Sequence, residues 1–229
     1  LGSNIVPKLS VGYLSYNLYM KIIKEVSILE VKRAFVIANL LTQRKNRGNN
    51  QVFLKNISEK ELEERLVTTK RKVLKLTSQN LDTLITPKWP RRVNSYNSSR
   101  WFIAQISTQD LGVWTRAGNL PLRWTNQSLF ETAAKVKRAL DKNSKQLKQR
   151  PRHAIPNILK MKKLVNQEEK YLYPIVFKTD TGTAGRKRLK TKTKGDIDDG
   201  CMRSIAMAIS GEKAILIYFG IPKTPKALK

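Results

Sequence analysis

Apolar side chains recur at helical spacing in some segments of this chain and at every second place in others. Ile28, Val31, Phe35, Ala38 and Leu41 fall on one face of a helix. Ser27 and Glu30 open that helix as a capping box, the serine oxygen taking one free amide and the glutamate returning to the cap. Ser58 and Glu61 repeat the device ahead of a helix that turns Leu62, Leu66, Val73 and Leu76 inward. Its acids (Glu59, Glu61, Glu63, Glu64) lie early and its bases late, as the helix dipole favours. This acidic patch is expected to face away from any polyanion. Ser128 and Glu131 form a third box. The helix behind it runs to about Gln149, with Leu129, Ala133, Val136 and Leu140 inside and Lys135, Arg138, Lys142 and Lys145 outside.

Alternation marks the strands. Leu9, Val11 and Tyr13, then Tyr16, Leu18 and Met20 after a one-place slip, predict a bulged strand over 8–20. Short strands are expected at Val52–Lys55 and Lys213–Phe219. Another, at Tyr171–Lys178, carries Pro174 and is therefore expected at a sheet edge. Trp101 to Ile106 is an apolar element, and Leu111–Thr115 against Leu120–Trp124 reads as a hairpin. Asn94 to Ser99 is polar and reads as a loop, as does the basic turn Arg44 to Asn50. A short basic helix is predicted from Asn157 to about Lys170, and another after Asp199 with Met202, Ile205, Ala206 and Ile209 on one face, closed by Gly211. Strands and helices interleave without regular βαβ spacing. The class is α+β, with small mixed sheets or hairpins packed by four to five helices.

Leu1-Gly2-Ser3 reads as the remnant of a cleaved expression tag, leaving 4–229 as one domain. Residues 150–156, with Pro151 and Pro156, form a corner or the one sub-boundary.

Composition then narrows the partner. Among 229 residues, 45 Lys and Arg stand against 17 Asp and Glu, a net charge of +28, while a 40% hydrophobic share is enough for a core. Self-repulsion of that size is ordinarily balanced by a polyanion, of which nucleic acid is the commonest. One cysteine, Cys201, excludes an internal disulfide and points to a reducing, intracellular setting, cytoplasm or nucleoid. One histidine, His153, leaves no His-rich metal site and no His-based catalytic set outside a basic linker. No apolar run reaches the length of a membrane span, and no signal-peptide pattern is seen.

All four tryptophans lie between Trp89 and Trp124, each within two places of an arginine: Trp89 with Arg91 and Arg92, Arg100 with Trp101, Trp114 with Arg116, and Arg123 with Trp124. Between Asp82 and Glu131 the only acid is Asp110. Indole faces can stack bases while guanidinium groups hold phosphates, so Trp89, Trp114, Trp124 and Tyr96 are candidate platforms. Trp101, beside Phe102 and Ile103, is expected in the core. Phosphate contacts are expected from Arg44, Lys45 and Arg47. They are also expected from the run Arg186, Lys187, Arg188, Lys190, Lys192 and Lys194, six bases in nine residues between Gly185 and Gly195.

Asp196, Asp198 and Asp199 follow that run directly. Carboxylates beside phosphate-binding lysines are what a Mg²⁺-dependent phosphodiester hydrolase uses, so these three are the candidate catalytic residues. Over four residues the spacing is similar to the Asp-x-Asp-Asn before a helix in small Asp-dependent Holliday-junction resolvases. It departs from that pattern at Asp199, where the family has Asn, at Gly200, and in lacking an acid after the helix. The bland alternative is that Asp198 or Asp199 caps the helix and Asp196 balances lysines. The expected function is a nucleic-acid-binding protein, DNA favoured over RNA, with no membrane partner and a homodimer allowed. The rivals are a DNA-processing enzyme on the same surface (a nuclease with Mg²⁺, or a base-removing glycosylase) and an RNA-binding assembly protein of ribosomal or nucleocapsid type.

Overall fold

The computed structural model describes residues 20–42, 58–117, 120–142, 159, 164–165, 169–179, 181 and 192–223. Within them a mixed sheet of seven strands is packed by six helices. In chain order these are β1 (Met20–Val26), α1 (Ile28–Thr42), α2 (Glu59–Val73), α3 (Ser78–Ile85), α4 (Pro90–Asn97), β2 (Ser99–Ser107), β3 (Leu111–Val113), β4 (Gln127–Ser128), α5 (Leu129–Asp141), β5 (Ile175–Lys178), β6 (Gly195–Asp199), α6 (Cys201–Ile209) and β7 (Ala214–Pro222). The order across the sheet is β1-β2-β7-β5-β6-β3-β4. β7–β5 and β6–β3 are parallel pairs and the others antiparallel. The α+β class read from the sequence is what the chain adopts, as one sheet rather than several small ones.

The helices form two groups. α1 touches α2, α3, α4 and β2, and α5 packs on α6 and on β3 and β4. α1 buries Val31, Ala34, Phe35, Ile37, Ala38 and Leu41, a wider face than one amphipathic stripe. Lys32 is buried among them at 1% exposure, held by Asp82 at 2.7 Å and by the Ser78 hydroxyl at 2.8 Å, which ties α1 to α3. On the sheet, Trp101 of β2 sits opposite Gly220 of β7. A Cβ at Gly220 would lie 2.7 Å from the indole, so the glycine makes room for the ring. Trp101 also meets Phe177 and Tyr96 at ring distances of 5.1 and 5.3 Å and donates its Nε1 hydrogen to the Tyr96 carbonyl.

Capping boxes fare unequally. Ser128 and Glu131 form the complete reciprocal box at α5, whereas at α2 Ser58 accepts from the Glu61 amide without the return bond. At α1 Ser27 accepts from the Glu30 amide, but the Glu30 carboxylate turns to Tyr218 and Lys170, at 3.2 Å each. α6 ends as expected at Gly211: its amide bonds the Ala208 carbonyl and the Glu212 amide bonds Met207, the Schellman arrangement.

Several local expectations are corrected. Of Asn94 to Ser99, read as a loop, residues 94–97 belong to α4 and Ser99 opens β2; α4 starts with Pro90 at the first helical position, where its missing N–H costs nothing. The 111–115/120–124 hairpin does not form. β3 pairs with β4 and β6 instead, and 122–124 is a 3-10 turn. β5 lies inside the sheet because Pro174 precedes the strand instead of interrupting it, its carbonyl accepting from the Tyr218 amide. A strand begins at Met20, where the 8–20 reading ends. Residues 8–19, the 44–50 turn, the 52–55 strand, the 150–156 corner and most of the predicted 157–170 helix lie outside the described residues. Among the described residues no helix is long and apolar enough to cross a membrane.

Candidate nucleic-acid interface

The acidic triplet leads into a helix, as read from the sequence, but is itself a strand. Asp196, Asp198 and Asp199 belong to β6, where Asp196 and Asp198 are buried. The β5–β6 ladder slips between Ile175 and Val176, which face Asp199 and Ile197, so Asp198 is the extra residue of a bulge. The bulge breaks the alternation of side chains, and two successive carboxylates reach the same guanidinium. Arg92 of α4 places Nε 2.8 Å from Asp198 Oδ2 and Nη1 3.8 Å from Asp199 Oδ1, and its Nη2 donates to the Asp198 carbonyl at 2.6 Å. Tyr96, also on α4, donates its hydroxyl to Asp198 Oδ2 at 3.1 Å. Arg203 of α6 closes the far side, with Nη2 at 3.0 Å from Asp199 Oδ2 and Nε donating to the Leu172 carbonyl.

Gly200 is what lets this fit. Its φ of +90° is left-handed, and a Cβ there would lie 2.8 Å from the Arg203 guanidinium. Burial works against the charge on Arg92, but Asp198, Tyr96, Asp199 and Cys201 outweigh it and hold the guanidinium pKa above its usual value. Burial, then the neighbouring Asp198 charge, pushes the Tyr96 phenol well above the ordinary tyrosine range.

These acids therefore do not fit Mg²⁺, which needs free oxygen ligands in octahedral array. Asp198 Oδ2 and the two Asp199 oxygens face Arg92, Tyr96 and Arg203, while Asp196, 2% exposed, accepts from the Thr193 hydroxyl at 3.4 Å. Among the described residues no group of three or more His, Cys, Asp or Glu side chains is placed to hold a metal ion. Neither Asp198 nor Asp199 caps α6, whose N-cap is Gly200. The cluster is an internal lock that joins α4, β6 and α6.

The aromatic candidates divide. Trp101 is buried, as expected, but Trp124 and Tyr96, expected at the surface, are buried too. Trp89 is half-buried with its ring 5.2 Å from Phe35, and Arg92 and Lys88 lie over it at 5.6 and 5.7 Å. Arg92 is itself drawn inward and does not serve the surface, whereas Arg91 is exposed. Arg100 is exposed but bridges to Glu25 across β1 and β2 at 2.9 Å. That bond holds the Glu25 carboxyl below its usual range. Trp114 is half-buried at the start of the 114–126 loop.

That loop and α5 carry several exposed cations. Arg116 has a left-handed φ of 57°, a conformation that costs a non-glycine residue about 1–2 kcal/mol. Its amide donates to the buried Thr125 hydroxyl at 2.7 Å, which fixes the turn and leaves the side chain exposed. Asn126, at φ 66°, donates its amide to the Val113 carbonyl. Lys135 of α5 donates to the Arg123 carbonyl at 2.9 Å and to Gln127 Oε1 at 2.8 Å, fastening the loop to the helix.

Lys135, Arg138 and Lys142, the last being the C-cap residue of α5, lie at i, i+3 and i+7 in one stripe turned away from the buried Leu129, Ala133 and Val136. The acids nearby are engaged. Glu131 serves the cap, Asp141 pairs with Lys137 at 2.9 Å, and Asp110 faces Lys194 at 3.5 Å. Arg116, Arg123, Arg138 and Lys142 form no ion pair with any described residue. Lys192 is exposed. Arg44, Lys45, Arg47, Arg186, Lys187, Arg188 and Lys190 lie outside the described residues.

Sequence reasoning missed Arg203 and the inward role of Arg92. Each of their partners is either distant in sequence or hidden inside an unremarkable helical period, and only Gly200 beside an acidic pair hinted at a close approach. Comparison of the chain with family models, with curated proteins and with solved structures finds no match.

Proposed function

We propose that this chain binds a polynucleotide through its phosphates, along the outer stripe of α5 and the 114–126 loop fastened to it. The observation that carries the reading is the set Arg116, Arg123, Arg138 and Lys142. These four cations are exposed on two joined elements, and among the described acids Glu131, Asp141 and Asp110 each already have another partner. A net charge of +28 supports the same partner class, because counter-charge supplied in trans relieves the self-repulsion. Guanidinium groups suit phosphate oxygens by their planar fork of donors.

The lock around Asp198 has a supporting part. It holds α4 against the sheet and so fixes the start of β2, without taking part in chemistry. The test is fluorescence anisotropy of a labelled 20-base-pair DNA titrated with the full chain at several salt concentrations. The reading expects binding that weakens steeply with salt. Binding absent at low salt, or insensitive to salt, would refute it.

A further inference from the structure

We infer that the polynucleotide is a duplex, held by its backbone with its bases unread; this rests on the polynucleotide reading above and names the substrate form. A protein that holds a single strand combines a cationic groove with several aromatic rings on which successive bases stack. The sequence offers four tryptophans for that purpose, and the fold withdraws them. Trp101 and Trp124 are buried. Trp89 is wedged against Phe35 under two cations. Trp114 stands half-buried at the loop that carries Arg116 and Arg123. The exposed Phe130 on α5 lies roughly 80–140° around the helix from Lys135, Arg138 and Lys142, at 100° per residue, so it does not extend their stripe.

What remains is a rigid row of cations. At the end of α5 the exposed Arg138 and Lys142 stand about 6 Å apart at 1.5 Å per residue, and Lys135 holds the Arg123 segment to the same helix. With few exposed rings among the described residues to reward a single strand, charge density decides between the two forms. A duplex carries one charge per about 1.7 Å of axis, and each neutralised phosphate gives a salt slope of about 0.9 against about 0.7 on a single strand. The fixed phosphates of a duplex also need no ordering on a fixed protein surface, whereas a flexible strand does.

The test titrates the full chain into a labelled 20-base-pair DNA duplex, a second duplex of unrelated sequence, the single strand of the first, and an RNA duplex. Tryptophan emission is recorded throughout. The expected result is that the two DNA duplexes bind within about twofold of each other and at least about tenfold tighter than the single strand, with tryptophan emission nearly unchanged, because charge density and not stacking sets the affinity. The RNA duplex is expected to bind tighter than the single strand as well, because its paired backbone carries a comparable charge density. A single strand that binds as tightly as either DNA duplex, or that quenches much of the tryptophan emission, overturns the inference while leaving polynucleotide binding intact. No binding of any of the four overturns both.

Discussion

Arg92 closes on Asp198 at two points, Nε on the carboxylate at 2.8 Å and Nη2 on the backbone carbonyl at 2.6 Å. One contact fixes the side chain and the other the strand, so α4 is pinned to the bulge of β6 by a single residue. The phenol of Tyr96 completes the arrangement, and the rings of Phe35 and Trp89 enclose the guanidinium at 5.1 and 5.6 Å.

Removing one partner of such a pair leaves a buried charge uncompensated. Asp198→Ala is expected to lower stability by about 3–5 kcal/mol, and a double variant with Arg92→Leu to recover part of the loss. Urea denaturation of the two single variants and the double one measures the coupling. Simple additivity would show that the lock carries no interaction energy.

The pH dependence follows from two tyrosines. Tyr96 donates to Asp198 and Tyr218 to Glu30, and burial raises both phenols above the ordinary value. The folded chain keeps these protons where the unfolded chain, titrating near pH 10, releases them. Their contribution is therefore whole below about pH 10 and is lost as pH rises, at about 1.4 kcal/mol per pH unit for each tyrosine. Denaturation midpoints taken between about pH 9 and 11.5 should fall less steeply for Tyr218→Phe than for the parent, since one of the two retained protons is gone. Parallel curves would mean that Tyr218 titrates normally.

Gly220 is expected to tolerate no larger residue. A Cβ placed 2.7 Å from the Trp101 ring forces the indole away from Phe177 and Tyr96, and Gly220→Ala should cost about 1–3 kcal/mol. The tryptophan emission should shift with it. An unchanged melting temperature would show that the sheet relaxes at no cost.

The legible parts of the fold are those where local rules and burial agree. α1, α2 and α5 each pair a Ser-x-x-Glu start with a periodic apolar face, and all three form where that pattern sets them. α4 was not legible, because Pro90 to Asn97 is polar along its length and its helix is stabilised by inward turns of Arg92 and Tyr96 that no local period announces. The strand Gly195–Asp199 was not legible either. Three acids in five residues have poor strand propensity, and the charge that accommodates two of them stands on α4, more than 100 residues earlier in the chain. Trp101 could be assigned to the core from its apolar neighbours. Trp124, flanked by Arg123 and Thr125, could not, since its pocket is assembled from the tertiary fold.

Site legibility follows the same division. The outer stripe of α5 was readable as a helical period, and the link from Lys135 to the Arg123 carbonyl was not, because it depends on how a 3-10 turn returns to the helix.

The most direct test of the central claim is the slope of log affinity against log salt for a duplex, measured for the parent and for an Arg123→Ala/Arg138→Ala/Lys142→Ala variant. Each phosphate neutralised contributes about 0.9 to the slope, so removing three contacts should flatten it by roughly 2.7 and weaken binding alike on unrelated sequences. Circular dichroism should show the variant folded, because all three side chains point outward. A slope unchanged by the triple substitution would contradict a phosphate grip on α5 and its loop.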